Sequence, residues 1–257
     1  AENLYKAIIN TRPLNEDANY NLSVLLYEMG KILEALPICQ KVIKLLPENP
    51  GSHYNLGNVL KALDRFQESE ISYKNAIKIK PDFFQAYSNL GSVQKRLGKI
   101  EEAESSYRQT IEFKSDFFQA HFNLGNLLQD QERFQEAEIS YRLVIKLKPD
   151  FAQAYFNLGN TYRELGKFEE PKSCYTQAIE RRADYSEAHF NLGITLKDLG
   201  RLQEAETTFR KTLTLTPNFL EVHNNLGSTL KKLGRVEEAV ASYKQAIKLD
   251  SCYAEAH

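Results

Sequence analysis

The sequence carries almost no net charge, few cysteines and no long hydrophobic segment. Its 33 Lys and Arg nearly balance its 34 Asp and Glu, which argues against a primary nucleic-acid-binding or anionic-membrane surface. No apolar run reaches the roughly 18 residues that a membrane helix needs, and we expect no signal peptide. Hydrophobic residues nevertheless make up 42% of the 257 residues, which is ample for a core.

Cys39, Cys174 and Cys252 are the only cysteines, and they are scattered along the sequence. An odd, scattered set forms neither a disulfide framework nor a zinc site. We therefore expect free thiols that mostly serve as packing residues, in a reducing, cytoplasmic compartment.

One pattern repeats along the whole chain every 34 residues, without an insertion. Its clearest mark is Asn-Leu-Gly, at Asn55, Asn89, Asn123, Asn157, Asn191 and Asn225, with Asn21-Leu22-Ser23 as a weaker copy. The register defines the full repeats 16–49, 50–83, 84–117, 118–151, 152–185, 186–219 and 220–253. Residues 1–15 match the second half of a preceding repeat, and residues 254–257 match the start of a following one. A fixed period of this length is typical of a helical-hairpin solenoid, so we predict one solenoid domain over residues 1–257.

Each repeat is predicted to form two helices, because apolar residues recur at helical spacing in both of its halves. In repeat 118–151 these residues are Ala120, Leu124 and Leu127, and then Phe134, Ala137, Tyr141 and Val144. Gly occupies most of the turns between the helices, where a left-handed residue is needed, and Pro follows most second helices. The Gly of Asn-Leu-Gly lies inside the first helix, where it costs about 1 kcal/mol relative to Ala. Close approach of the two helices is the expected compensation.

A few repeats depart from this pattern. Asp64 and Glu132 replace the turn Gly, and because Asp tolerates a left-handed conformation better than Glu, we predict a different turn geometry at Glu132. Pro37 lies inside a predicted second helix, where it removes one donor and can bend the helix. Pro171 falls in the first turn of its helix, where Pro is tolerated.

Counting positions from the first residue of each repeat, the pattern has fixed residue types at positions 4, 7, 8, 20, 24 and 32. In repeat 118–151 these are His121, Leu124, Gly125, Ala137, Tyr141 and Pro149. The pattern resembles the tetratricopeptide repeat family over the whole chain. The resemblance implies an all-α, right-handed superhelical solenoid whose first helices line the concave wall. The repeats resemble those that precede the catalytic region of O-linked N-acetylglucosamine transferases, which also carry Asn at the position of the Asn in Asn-Leu-Gly.

A polar stripe follows one side of each first helix, for example Gln119, Asn123, Asn126 and Asp130. Asn is a mediocre helix former, so its repetition at position 6 requires a reason. Its amide offers an acceptor and two donors, which match the N–H and C=O groups of an extended peptide. We predict a peptide-binding Asn ladder, which the resemblance also implies. The predicted binding residues are Asn21, Asn55, Asn89, Asn123, Asn157, Asn191 and Asn225, together with Asn58, Asn126, Asn160, Lys61, Lys95, Arg163, Lys197 and Lys231.

Other interpretations of this surface remain open. Each Asn could bond the neighbouring helix and hold the repeats together, or serve both purposes. The bases at position 12 could pair with acidic ligand side chains or be solvated. At position 5, inter-repeat packing is favoured over peptide anchoring for Tyr20, Tyr54, Phe122, Phe156 and Phe190.

The histidines suggest a metal site, but their spacing argues against one. His53, His121, His189, His223 and His257 all stand at position 4. Neighbouring first helices lie roughly 8–10 Å apart, too far for one metal at about 2 Å from each ligand. We interpret them as core histidines. No nucleophile motif, phosphate loop or catalytic carboxylate pair interrupts the register, so we predict no metal, no cofactor and no catalytic residue.

These patterns favour a non-catalytic scaffold that binds a protein or peptide in a concave groove, with no nucleic-acid or membrane partner. The alternative is the substrate-recruiting arm of an enzyme similar to an O-linked N-acetylglucosamine transferase. A purely structural spacer would leave the Asn ladder unexplained. The two ends lack a polar cap, so we also expect head-to-tail self-association. Residues expected near those contacts are Leu4, Tyr5 and Ile8 at one end and Tyr243, Ile247 and Tyr253 at the other.

Overall fold

The computed structural model describes residues 1–167 and 169–250. These residues form α-helices joined by short turns, with no strand among them. The helices are α1 (Glu2–Thr11), α2 (Glu16–Glu28), α3 (Ile32–Leu45), α4 (Pro50–Ala62), α5 (Phe66–Ile79), α6 (Phe84–Arg96), α7 (Ile100–Phe113), α8 (Phe118–Asp130), α9 (Phe134–Leu147), α10 (Ala152–Glu164), α11 (Glu169–Arg181), α12 (Ser186–Asp198), α13 (Leu202–Leu215), α14 (Leu220–Lys232) and α15 (Val236–Leu249). Even-numbered helices are the first helices of the repeats, and odd-numbered helices are the second. The prediction of an all-α repeat solenoid is confirmed.

Contacts divide the structure into two compact units, residues 1–127 and residues 128 onward. From α1 to α7 in the first unit, and from α9 to α15 in the second, each helix packs against the next helix along the chain. The predicted interruptions do not end any helix: α3 continues through Pro37, and Pro171 lies in the first turn of α11. The single-domain assignment remains a prediction, as does the membership of residues 251–257, which lie outside the described part.

The turn between the two helices has the same geometry whether or not Gly occupies it. Gly98 has φ of 75°, and Glu132 has φ of 60°. The next residue closes both turns with the same backbone bond: Lys99 N–H donates to Gln94 O and Arg133 N–H to Leu128 O, each at 2.9 Å. The prediction of a different geometry at Glu132 is therefore wrong. The packing and hydrogen bonds of the hairpin outweigh the roughly 1–2 kcal/mol that a left-handed residue costs.

The Gly inside each first helix allows close approach of an aromatic ring, as predicted. A Cβ added at Gly91 would lie 2.7 Å from Cε1 of Tyr107, whose side chain is buried on α7. The same contact recurs in four other repeats, at Gly57, Gly159, Gly193 and Gly227. Repeat 16–49 has Ser23 in place of this Gly and Cys39 in place of the ring, and both are buried. The larger residue on the first helix is thus matched by a smaller one on the second.

This size match predicts a non-additive pair of substitutions. Gly91→Ser alone should cost about 1–3 kcal/mol, because the Tyr107 ring has no room to move. Tyr107→Cys alone should cost about 3 kcal/mol through the cavity it leaves. The double variant should be more stable than the sum of the two losses predicts, by about 0.5–3 kcal/mol. Chemical denaturation followed by circular dichroism measures all three.

The control for this cycle is Gly98→Ser, at a turn with nothing within 4 Å of an added Cβ and with φ of 75°. Its cost arises from backbone strain, so Tyr107→Cys should not relieve it. Strictly additive losses in the Gly91 cycle would show that the two positions are not coupled.

Ion pairs join the second helices to the following repeat. Glu70 at position 21 pairs with Lys74 of its own helix at 2.6 Å and with Lys99 of the next repeat at 2.8 Å. The same arrangement recurs around Glu138 and Glu206 in the second unit, where the distances to the next repeat are 3.1 Å and 2.6 Å. These carboxylates are among the less exposed charges of the chain, with side-chain exposures of 7%, 13% and 13%. They therefore help to hold successive repeats in register.

Acid should weaken this junction. Burial raises the pKa of Glu70, but its bonds to Lys74 and Lys99 outweigh that effect, so the pKa lies below its ordinary 4.5. The stabilisation is therefore complete above pH 4.5 and is lost as the pH falls through the lowered pKa. Glu70→Gln should cost about 1 kcal/mol at neutral pH and progressively less in acid. Urea titrations across this range measure the difference, with the exposed Glu28→Gln as the control. A deficit for Glu70→Gln that is constant with pH would contradict the assignment.

Candidate functional site: the polar face of the first helices

The predicted binding residues lie on helices that contact one another. Within the first unit α2 packs against α4 and α4 against α6, and within the second unit α12 packs against α14. The polar stripes of these neighbouring helices therefore meet in one surface in each unit. We call this surface, formed by positions 2, 6, 9, 12 and 13 of the first helices, the first-helix face.

Most of the predicted residues are half-buried. Asn21 is exposed, whereas the other six Asn side chains at position 6 are partly buried. At position 9, Asn58 is buried and Asn126 and Asn160 are partly buried. Lys61, Lys95 and Lys197 are partly buried, and Arg163 and Lys231 are exposed. Side chains this enclosed are expected to have partners within the protein.

In the first unit those partners lie in the neighbouring repeat. Asn89 donates from Nδ2 to Oδ1 of Asn58 in the preceding repeat at 2.9 Å. Lys61 of that repeat donates from Nζ to Oδ1 of Asn89 at 3.0 Å. The hydroxyl of Tyr73 donates to the same Asn58 oxygen at 2.7 Å. The network thus joins two first helices to each other and to a second helix.

The second unit contains the same kinds of bond, divided between two successive junctions. Asn191 donates to Oδ1 of Asn160 at 2.9 Å, and the hydroxyl of Tyr175 donates to that oxygen at 2.8 Å. Lys197 donates to Oδ1 of Asn225 at 2.6 Å. The Asn pair with its Tyr hydroxyl thus recurs three repeats further along the chain, where positions 6, 9 and 24 carry the same residue types.

The residue at position 9 of one repeat determines which hydrogen bond the Asn at position 6 of the following repeat donates. The two residues just described, Asn89 and Asn191, follow repeats with Asn at position 9. Asn55 follows a repeat with Val24 there, and its Nδ2 is buried with no hydrogen-bond partner among the described residues. Asn225 follows Ile194, and its Nδ2 donates instead to the carbonyl of Glu221 in its own helix at 2.8 Å.

The hydroxyl at position 24 is a polar element that the sequence analysis assigned only to the core. The sequence carries a signal for it, because the aromatic ring at position 24 has no hydroxyl in the repeat with Ile194 at position 9. Phe209 stands at position 24 of the repeat that has Ile194 at position 9. In repeat 118–151 the hydroxyl of Tyr141 donates to Oε1 of Gln129 at position 12, at 2.9 Å.

Burial changes the acid–base properties of this network. It lowers the pKa of the Lys61 ammonium group. It raises the pKa of Tyr175 to about 12, although the neighbouring Arg163 acts in the opposite direction. The hydroxyl therefore stays protonated at neutral pH and acts as a donor to the Asn oxygen.

The aromatic residues at position 5 pack inside their repeats. Phe156 lies 5.9 Å from Tyr175 and 4.9 Å from Tyr185, measured between ring centroids. Tyr54 and Phe190 make the corresponding contacts in their own repeats. This favours the packing interpretation of these rings, although the contacts lie within a repeat rather than between repeats.

The histidines at position 4 bond the loop before their helix. The ring Nε2 atom is hydrogen-bonded to the carbonyl oxygen six residues earlier, at 2.8 Å for His53 and His121, 3.1 Å for His189 and 2.9 Å for His223. His121 and His189 are buried, as core histidines should be, and His53 and His223 are half-buried. His257 lies outside the described residues. No group of three metal-ligating side chains occurs in the part that the structure describes.

An open depression of about 540 Å³ lies on the first-helix face of the first unit. Its lining residues are Phe66, Ser92, Lys95, Arg96, Tyr107 and Asn123. The Arg96 guanidinium lies over the Phe66 ring, 5.3 Å from its centroid. Two bases and no carboxylate line it, so its local potential is positive. A smaller depression of about 200 Å³ in the second unit is lined by Arg163, Glu164, Lys167, Pro171, Thr195 and Asp198, and its charges are mixed.

Cys39 and Cys174 are free and buried, as predicted. Burial raises the pKa of Cys39 to about 11 and that of Cys174 to about 12, so neither thiol is a reactive nucleophile at neutral pH. Cys252 lies outside the described residues. None of the described helices is long and apolar enough to cross a membrane.

Similar folds occur among solved structures, whereas no curated protein sequence matches the chain. The crystal structure of YrrB, a TPR protein with an unusual peptide-binding site, is 21% identical with a TM-score of 0.65, and the match covers 72% of this chain and 95% of YrrB. MamA is 21% identical with a TM-score of 0.62, covering 67% of this chain and 94% of MamA. PilF of Pseudomonas aeruginosa is 16% identical with a TM-score of 0.69, covering 80% of this chain and 94% of PilF. At these identities the likeness concerns the fold.

Family models match most of the chain. Models described as "Tetratricopeptide repeat" match residues 84–117, 118–151, 150–218 and 220–251. A model described as "TPR repeat" matches residues 66–98. Two of the matches, 84–117 and 118–151, coincide with repeats of the 34-residue register, and the helices described above occupy the two halves of each repeat. The chain belongs to the tetratricopeptide repeat family.

Proposed function

We propose that this chain is a scaffold that binds an extended segment of a partner protein along its first-helix face. The observation that carries the proposal is the pairing of Asn side chains between neighbouring repeats, which holds amide groups in place on the first-helix face of each unit. Groups that are already ordered lose little conformational entropy when a ligand binds. YrrB, with the same fold, is itself a peptide-binding protein.

The Asn pairs leave part of their hydrogen-bonding capacity for a ligand. Asn191 donates one of its two N–H groups to Asn160, which accepts through its oxygen only. Both side chains are partly exposed on the first-helix face. Their remaining N–H and C=O groups match those of an extended backbone, so we propose that the Asn ladder both joins the repeats and binds peptide.

Charge adds selectivity to this backbone recognition. The depression lined by Lys95 and Arg96 would favour an acidic side chain, and the face of the second unit, with its mixed charges, would favour neither sign. We propose that Lys61, Lys95, Arg163, Lys197 and Lys231 set the ionic preference and that the Asn residues set the peptide register. Backbone bonds of this kind depend little on the ligand's sequence.

A second candidate is that the same face recruits substrates for an enzyme. The observation that favours it is the Asn column, which resembles that of the repeats in O-linked N-acetylglucosamine transferases. A glycosyltransferase domain in the complete reading frame would decide for this candidate. The two buried free thiols agree with the cytoplasmic, reducing compartment that we propose for either function.

Head-to-tail association through the ends stays a prediction. Leu4 is 63% exposed on α1, and Tyr243 and Ile247 are partly buried on α15. Tyr253 lies outside the described residues.

Replacing Asn123, Asn157 and Asn191 together by Ala tests the ladder. The probe is a peptide selected from a random-sequence display library against the whole chain. Each lost backbone bond should cost about 0.5–1.5 kcal/mol, so the Kd should rise about tenfold or more. Isothermal titration calorimetry, corrected for the folded fraction, measures it. Asn10→Ala on the exposed surface of α1 is the matched control and should leave the Kd unchanged.

A second arm separates backbone from side-chain recognition. The same peptide with methylated backbone nitrogens should bind much more weakly, whereas a scrambled sequence of equal charge should bind nearly as well. If the triple variant binds the peptide unchanged per folded molecule, the Asn column is purely structural.

A further inference from the structure

A second groove lies between the second helices α3 and α5, away from the first-helix face. A depression of about 250 Å³ there has Leu56 and Leu60 of α4 among its lining residues, with Ile43 of α3 and Ile71 of α5 on either side. Ile71 is 60% exposed. A neighbouring depression of about 290 Å³ shares two lining residues with it, so the two form one groove.

At three other junctions of the described chain an ion pair bridges this gap between second helices. A base at position 25 reaches the Glu at position 19 of the following repeat. The pairs are Lys6 with Glu34 at 3.6 Å, Lys74 with Glu102 at 3.8 Å and Arg210 with Glu238 at 3.0 Å. These side chains cross the space between the second helices and so cover the apolar residues of the first helix between them.

At the α3–α5 junction this bridge is missing. Position 25 is Gln40 and position 19 of the next repeat is Glu68, and both line the depression. Among the interactions described, the Glu68 carboxylate accepts hydrogen bonds only from Arg65 of its own repeat, at 2.7 Å and 2.6 Å. The equivalent carboxylate, Glu238, is bonded by two bases. The carboxylate at the groove edge therefore has one cation where the complete junction has two.

One other described repeat also lacks the base, and it shows what else the groove needs. Thr176 stands at position 25 there, and its hydroxyl donates to the carbonyl of Lys172 in its own helix at 2.9 Å. Position 22 across that junction is Thr207, where the α5 wall has Ile71. An apolar wall and an incompletely paired carboxylate thus occur together at the α3–α5 junction.

We propose that this groove docks a partner segment that places a large aliphatic side chain between Ile43 and Ile71 and an adjacent Arg or Lys against Glu68. The aliphatic side chain would cover Leu56, and the base would take the place that Arg210 occupies beside Glu238. Charge complementarity thus selects a basic and apolar segment, in contrast to the acidic side chains that the Lys95 and Arg96 depression of the first unit would favour. The two surfaces would allow the scaffold to hold two partners at once.

The test uses the whole chain labelled with ¹³C at the Ile δ1 methyl groups. The probe is the capped pentapeptide Ala-Leu-Arg-Leu-Ala, and its counterpart has Glu in place of Arg. We expect saturable shifts at Ile43 and Ile71 and none at Ile194 on α12. Because an exposed charge pair is worth little, the Glu peptide should bind only about two- to fivefold more weakly through loss of that pair, and repulsion by Glu68 should add to the difference.

Gln40→Arg provides the decisive variant, because it restores the bridge to Glu68 that other junctions have. We expect it to abolish the shifts at Ile43 and Ile71 while the thermal midpoint stays equal or rises. Gln40→Ala is the matched control, which leaves the groove open and should keep the affinity within about twofold. The proposal is overturned if no saturable shift appears at millimolar peptide, if both peptides bind equally, or if a folded Gln40→Arg protein binds as well as the parent.

Discussion

The contact between a helical Gly and the ring opposite it is the constraint on which the rest of each repeat depends. With Gly91 in the first helix, the ring of Tyr107 lies directly against the helix backbone, so the hairpin closes at short distance. This closeness carries the ring hydroxyl across to the polar side of the first helix. In two repeats with Asn at position 9, that hydroxyl then completes the Asn pair, as Tyr73 does for Asn58 and Tyr175 for Asn160. A core packing contact therefore also orders the candidate binding surface.

Polar and ionic bonds between repeats form two separate layers. On the first-helix face, Asn89 and Lys61 join neighbours through neutral and charge-assisted hydrogen bonds. On the second helices, carboxylates such as Glu70 bridge to the next repeat. Because each repeat contacts mainly its neighbours, a change in one residue type alters one junction and leaves the others intact. Gln40 is such a change, and it removes the ion pair that Lys6, Lys74 and Arg210 make at their own junctions.

The two faces differ in how they can recognise a ligand. On the first-helix face, ordered amides suit an extended backbone, and in the first unit Lys95 and Arg96 suit an acidic side chain. Between α3 and α5, aliphatic side chains and the Glu68 carboxylate suit an apolar and basic segment. Repetition supplies the first surface in many copies, whereas the second arises from a departure from the repeat. Irregular positions in a repeat protein are thus as informative about binding as the regular ones.

The sequence by itself determined the helices, the places of their turns and the close approach at the helical Gly, because each follows from local periodicity. It also indicated which side of the first helix carries the Asn column. Only the tertiary structure decided how those Asn side chains are used, since Asn89 and Asn58 meet across 31 residues and only when neighbouring first helices pack. The same holds for Glu132, which adopts φ of 60° because the hairpin on both sides of it imposes that turn. Local propensity sets the preference of a residue, and contacts between helices decide whether that preference prevails.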